Sequence, residues 1–122
     1  MNNMKKTVVI GASDRADRYS NKATLSLQRH GHEVVPVGIK EGEINGLKII
    51  KGKPAIENVD TVTLYVGPQN QPDLYDYIIS LKPKRVIFNP GTENEAFESM
   101  LEEKGIEPLE ACTLVMLSIG NY

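Results

Sequence analysis

The residues best equipped for chemistry fall in one run, Gly11-Ala12-Ser13-Asp14-Arg15-Ala16-Asp17-Arg18-Tyr19-Ser20. Glycine permits a tight turn, and free N–H groups at the start of a following helix attract anions. Each such dipole contact contributes about 0.3–1 kcal/mol, more when partly buried. Ser13 offers a hydroxyl, and Arg15, Arg18 and Lys22 offer positive charge. The run is not the dinucleotide fingerprint G-x-G-x-x-G. Ser13 stands at the second glycine, and Ala16 at most replaces the third. A side chain at Ser13 hinders close approach of a pyrophosphate to the main chain. A further cation, Lys40, follows Val37-Gly38-Ile39. An NAD site places an acid there for the ribose hydroxyls, whereas a lysine suits a phosphate on that ribose.

Two more segments carry glycine at a turn: Tyr65-Val66-Gly67-Pro68 and Phe88-Asn89-Pro90-Gly91-Thr92-Glu93. Their backbone can lie against a flat ligand. The competing reading of all four segments is an ordinary turn with solvated charges. Catalytic candidates are thin. His30 and His32 flank Gly31, at the far end of a strand from these turns, and read as surface or capping residues. Cys112 closes a strand, and a lone cysteine is more often a small buried hydrophobe than a reactive thiol. Glu93, Glu95 and Glu98 suit the start of a helix. No His/Cys cluster has metal-ligand spacing, so neither catalytic nor metal-binding residues are assigned.

The elements that must position these residues alternate. Thr7-Val8-Val9-Ile10-Gly11-Ala12 reads as a buried parallel strand. A helix then runs from Ser20, as N-cap, to about His30, with Gly31 as its stop. Glu33 to Gly38 is a second strand, in which Pro36 has no N–H to donate. Asn45-Gly46 favours a tight turn, followed by a short strand at Leu47-Lys48-Ile49. Pro54 to Asn58 reads as a brief helix with proline in its first turn. Thr61–Gly67, Arg85–Asn89 and Ile106–Cys112 are further strands. Gln71–Leu81 and Thr92–Lys104 are helices, and Thr113–Tyr122 holds a final helical turn. This rhythm predicts an α/β fold in three layers, with a mostly parallel sheet of five or six strands. In such sheets ligands bind beyond the carboxyl ends of the strands, where strand order reverses.

Composition sets the outer bounds. A chain of 122 residues, 40 % apolar and 25 % charged, is one globular domain spanning 1–122 and not a disordered chain. One cysteine makes no internal bridge. No apolar run approaches the roughly 18 residues of a membrane span, and a soluble cytoplasmic protein is expected. The net charge of −2 argues against broad nucleic-acid binding. Residues 1–53 nevertheless hold ten Lys/Arg against five Asp/Glu, and residues 54–122 four against eleven. An anion site in the basic half is the implication.

Taken in order, several motifs resemble a known family: Val9-Ile10-Gly11-Ala12-Ser13, Arg18-Tyr19-Ser20, and Gly31-His32-Glu33-Val34-Val35-Pro36-Val37. Ile44-Asn45-Gly46, Asp60-Thr61-Val62, the Asn89-Pro90-Gly91 turn and Cys112 continue the series. The chain resembles a stand-alone CoA-binding domain, similar to the N-terminal domain of the succinyl-CoA synthetase alpha subunit. The resemblance implies a Rossmann-like fold that binds a nucleotide cofactor, CoA or an acyl-CoA, across the strand ends. It puts Gly11, Ala12, Ser13, Arg15, Arg18 and Ser20 near the phosphates and Gly38 and Lys40 near the adenosine. Val66, Gly67 and Pro68 would pack along the cofactor, with Asn89, Pro90 and Gly91 at the fourth strand end. The family usually has Val-Asn-Pro where this chain has Val37-Gly38-Ile39. The synthetase's catalytic histidine lies in a further domain that has no counterpart here. A non-catalytic CoA binder is therefore expected, as a homodimer or beside an acyl-CoA-using enzyme. The alternatives are an enzyme or redox sensor using NAD(P) on the same fold, and a scaffold subunit that binds no nucleotide.

Overall fold

The first apolar run becomes β1 (Thr7–Ile10), buried at every position, as a strand covered on both faces must be. α1 (Tyr19–Arg29) follows, then β2 (Val34–Gly38). β3 (Gly42–Ile44) and β4 (Leu47–Lys51) form an antiparallel hairpin. The chain continues through β5 (Thr61–Leu64), α2 (Tyr75–Ser80), β6 (Arg85–Phe88) and α3 (Glu95–Glu103). It ends with β7 (Glu107–Glu110) and α4 (Thr113–Ser118). The computed structural model describes residues 3–122. The strands make one sheet in the order β3-β4-β2-β1-β5-β6-β7, parallel throughout except for the β3–β4 pair.

Alternation along β1 feeds two cores. Val8 and Ile10 join Leu64, Tyr77, Ile78, Phe88, Phe97 and Leu101 beneath α2 and α3. Val9 faces the other way and packs with Leu27 of α1, Leu117 of α4 and Ile44 and Ile49 of the hairpin. The result is the three-layer Rossmann-like α/β fold that the alternating elements predict. Both strand prolines have a place. Val37 turns its carbonyl towards the chain after β1, accepting from the N–H of Gly11 and of Ala12. By alternation Pro36 faces β4, whose ladder with β2 covers only Val37 and Gly38, so no bond is lost. Pro108 sits in β7, at the sheet edge.

Four local expectations are corrected. The sheet has seven strands, not five or six, because Asn45 and Gly46, both at positive φ, fold back a hairpin whose first arm, β3, the sequence did not reveal. Pro54–Asn58 is not helical; its residues cross from β4 to β5 without regular structure. Tyr77 Oη donates to the Pro54 carbonyl at 2.7 Å and pins that crossing. Gln71–Leu81 is not one helix but two 3-10 turns, Pro68–Asn70 and Pro72–Leu74, followed by α2. Two prolines spaced four apart each restart the chain there. Lastly, Ser20 is not the N-cap of α1. Arg18 takes that place, and Ser20 is buried in the first turn, its carbonyl accepting from Thr24 Oγ1.

Candidate functional site

β1, β2 and β4 run outward in one direction, and β5, β6 and β7 run outward in the other. The switch point therefore lies between the carboxyl ends of β1 and β5, the position at which open α/β sheets bind ligands. A cleft of about 1360 Å³ opens there. That exceeds the roughly 300–1,000 Å³ of ordinary small-molecule pockets and suits an extended ligand.

Three loops meet at this point, and backbone hydrogen bonds stitch them together. Tyr65 N–H donates to the Ile10 carbonyl at 2.8 Å, alongside the Gly11 and Ala12 bonds to Val37. Two glycines allow the approach. Gly11 has φ +93°, and a Cβ on it would lie 2.8 Å from the Tyr65 carbonyl oxygen. A Cβ on Gly38 would lie 2.5 Å from the Ala12 carbonyl oxygen. Both contacts are with backbone, so no side-chain rotation relieves them.

α1 starts at the cleft with an N-cap, Arg18, that makes no side-chain cap bond and with no acid in the first turn. The first N–H groups of a helix have no intrahelical partner; here Asn21 N–H already donates to the Arg18 carbonyl at 3.1 Å, and those of Tyr19 and Ser20, with no protein acceptor among the described residues, keep their attraction for an anion. The loop before the helix is braced. Ser13 Oγ accepts from Arg15 N–H at 3.2 Å, and Asn21 Nδ2 donates to the Ser13 carbonyl at 2.9 Å.

Charge in the cleft is mixed rather than uniformly basic. Arg15, Arg18 and Lys40 line it together with Asp14, Asp17, Glu41 and Asp73. Arg15 is tied to Asp17 at 3.2 Å in an exposed pair, which contributes little to stability. Among the described residues neither Arg18 nor Lys40 has an ion-pair partner. These two are the cations left for a ligand.

Most residues singled out in the sequence come together. Gly11, Ala12, Ser13, Arg15, Arg18, Ser20, Gly38, Lys40, Val66 and Gly67 all line the cleft. Pro68 stands just outside the lining, at the start of a 3-10 turn. Asn89, Pro90 and Gly91 also lie outside it. Asn89 is buried and acts structurally: Nδ2 donates to Thr63 Oγ1 at 2.7 Å and to the Leu64 carbonyl, and Oδ1 accepts from Thr113 N–H. Cys112, the N-cap residue of α4, is half-buried and likewise outside the lining.

Other residues enter the site unannounced. Gly52, Asp73, Leu74 and Tyr77 form a third wall, where the β4–β5 crossing meets α2. Lys53 Nζ donates to the Asp73 carbonyl at 2.6 Å and helps to close it. Tyr19, at the start of α1, and Ile39, just after β2, are largely exposed at the rim. Tyr65 is a lining residue whose side chain packs against the core beneath α1 and α4, and its hydroxyl is buried near Thr63 and Thr113 with no hydrogen bond of good geometry among the described residues. Burial pushes the Tyr65 phenol well above its ordinary value, so it stays protonated.

Fold and cleft together define a doubly wound, Rossmann-like α/β domain with its cleft at the switch point. A family model described as "CoA binding domain" matches residues 5–118, and the chain belongs to that family. The chain is similar to uncharacterized protein YneT of Bacillus subtilis, 28 % identical over 102 residues, covering 83 % of this chain and 76 % of the relative. Among solved structures it resembles an uncharacterized protein at 60 % identity and TM-score 0.97, covering 99 % and 100 % of the two chains. A conserved hypothetical protein from Pyrococcus furiosus is similar at 29 % identity and TM-score 0.81, covering 92 % and 98 %. Among the described residues no helix is long and apolar enough to cross a membrane, and no cluster of three or more His, Cys, Asp or Glu is placed to hold a metal.

Proposed function

We propose that the switch-point cleft binds CoA or an acyl-CoA and that the protein acts by holding this ligand, not by transforming it. The carrying observation is Lys40, two residues beyond β2 and with no ion-pair partner among the described residues, where an NAD site wants an acid. Arg18 and the uncapped start of α1 supply the second anion contact. Gly11, Ala12, Ser13 and Ser20 surround that contact. Gly38 leaves room for the Ala12 carbonyl behind it. Val66 and Gly67 form the wall for the rest of the ligand. The family match to a CoA-binding domain supports the same reading.

Calorimetric titration with CoA, dephospho-CoA and NAD tests it. The expected order of affinity is CoA, then dephospho-CoA, then NAD, with a first step of about tenfold or more, as a charge-assisted contact provides. The first step narrows as salt rises, because an exposed lysine is screened. If NAD binds tightest, the dinucleotide reading replaces this one. Equal binding of CoA and dephospho-CoA at low salt removes Lys40 from its role.

A further inference from the structure

The turn after β6 lies outside the cleft, yet one side chain connects it to the cleft wall. Gln71 joins the two 3-10 turns and is fully buried. Its Nε2 has two hydrogens and uses both, donating to the Val66 carbonyl at 2.9 Å and to the Thr92 carbonyl at 2.7 Å. Its Oε1 accepts from Asn94 Nδ2 at 2.9 Å. Asn94 is itself fixed: it caps α3 by accepting from Phe97 N–H, and it donates to Tyr75 Oη at 2.8 Å. Thr92 is held too, with its N–H and its hydroxyl both donating to the Asn89 carbonyl.

A buried amide with this much of its hydrogen-bonding capacity used is fixed in place. What it fixes is Val66, whose side chain lies close to Gly11 across the switch point: a Cβ on Gly11 would lie 3.1 Å from Val66 Cγ2. Among the described residues the N–H groups of Val66 and Gly67 donate to no protein acceptor. Two main-chain donors on a braced wall match a ligand segment that carries amide carbonyls.

We propose that Gln71 is a positioning residue for ligand binding: by holding the Val66 carbonyl it sets the Val66–Gly67 wall against which an extended, amide-containing arm of the ligand lies. This inference rests on the CoA reading and adds to it the buried side chain that positions the wall. Arg18, Lys40 and the start of α1 hold the phosphorylated nucleotide, and the Gln71-braced wall holds the arm. Asn89 and Thr92 then act at one remove, as the far anchor of that brace.

Two ligands separate the two parts: CoA, and adenosine 3′,5′-bisphosphate, which keeps the nucleotide and lacks the arm. Gln71→Met preserves side-chain length and removes all three hydrogen bonds. The expected result is a loss of CoA affinity of about tenfold, with affinity for the bisphosphate within about twofold of the parent protein. If Gln71→Met does not fold, Asn94→Ser replaces it. A serine still caps α3 but no longer donates to Gln71, and a CoA-specific loss of about threefold is expected. Unchanged CoA affinity in a folded variant overturns the proposal. Equal losses for both ligands overturn it too, because they show a general structural role. If the parent protein binds neither ligand, the CoA reading itself fails and this inference falls with it.

Discussion

At the amino ends of the strands, side chains close the sheet. Tyr122 shares a 2.7 Å hydrogen bond with Thr7 Oγ1 and accepts on its carbonyl from Arg85 Nη2 at 2.9 Å. The Arg85 guanidinium lies over the Tyr122 ring and donates through Nε to Thr61 Oγ1. His32 packs against the same ring, centres 4.9 Å apart, and accepts Lys5 N–H on Nδ1. At the carboxyl ends the finish is different. Main chain meets main chain across Gly11 and Gly38, and the charged side chains stay outside. The end closed by side chains has spent its polar groups on itself. The end closed by backbone keeps its cations and its helix start for something else. On the proposed function, the difference separates stability from binding, and each end is expected to tolerate changes at the other.

The largest effect is expected at Gly11. Alanine there must adopt a positive φ and push into the Tyr65 carbonyl. We expect a cost of about 3 kcal/mol or more, read by chemical denaturation, together with loss of detectable CoA binding. This variant is the one expected to damage both properties. At the opposite end, Tyr122→Ala removes a half-buried ring, its hydroxyl's hydrogen bond to Thr7 and its contacts with Arg85 and His32. A destabilisation of roughly 2–4 kcal/mol is expected, with CoA affinity unchanged in calorimetry. A large affinity loss there would show that the two ends are coupled.

Arg18→Glu and Lys40→Glu sharpen the comparison from the other side. Each is expected to weaken CoA binding by well over tenfold, while stability changes by no more than about 0.5 kcal/mol. The smallest effect concerns pH. Burial, with Lys5, His30 and Arg85 nearby, holds the His32 imidazole below its ordinary 6.5, and Asp60 opposes this. A base with a lowered folded pKa binds protons more readily when unfolded. His32 therefore contributes stability that is complete above 6.5 and declines as pH falls below it. Denaturation midpoints measured between about pH 5 and 8 should show this decline, and His32→Gln should flatten it.

How far the site was legible depends on which residues speak locally. The run from Gly11 to Ser20 and Lys40 stand out because charge and glycine after a strand are local signals, and the structure brings them to one cleft. The Asn45-Gly46 turn was legible for the same reason, though β3 was not, since Gly42-Glu43-Ile44 has no β-branched run to mark a strand. The third wall was hidden. Its residues, Gly52, Asp73, Leu74 and Tyr77, meet only because the β4–β5 crossing is pinned by Tyr77 to Pro54 and by Lys53 to Asp73. Such contacts span about twenty residues and leave no pattern in the sequence. Asn89 is the opposite case. Its turn looks like a ligand-facing loop, yet its amide is buried in bonds to Thr63, Leu64 and Thr113. Ser20 has the chemistry of a cap but stands two positions too late.

The most direct test of a binding end and a closed end is an amide-resolved NMR titration with CoA. The account predicts shifts concentrated in 11–20, 38–40 and 65–67, with Thr7, His32, Arg85 and Tyr122 unmoved. Shifts centred on His30, His32 and Tyr122 instead, or none at saturating CoA, would contradict it.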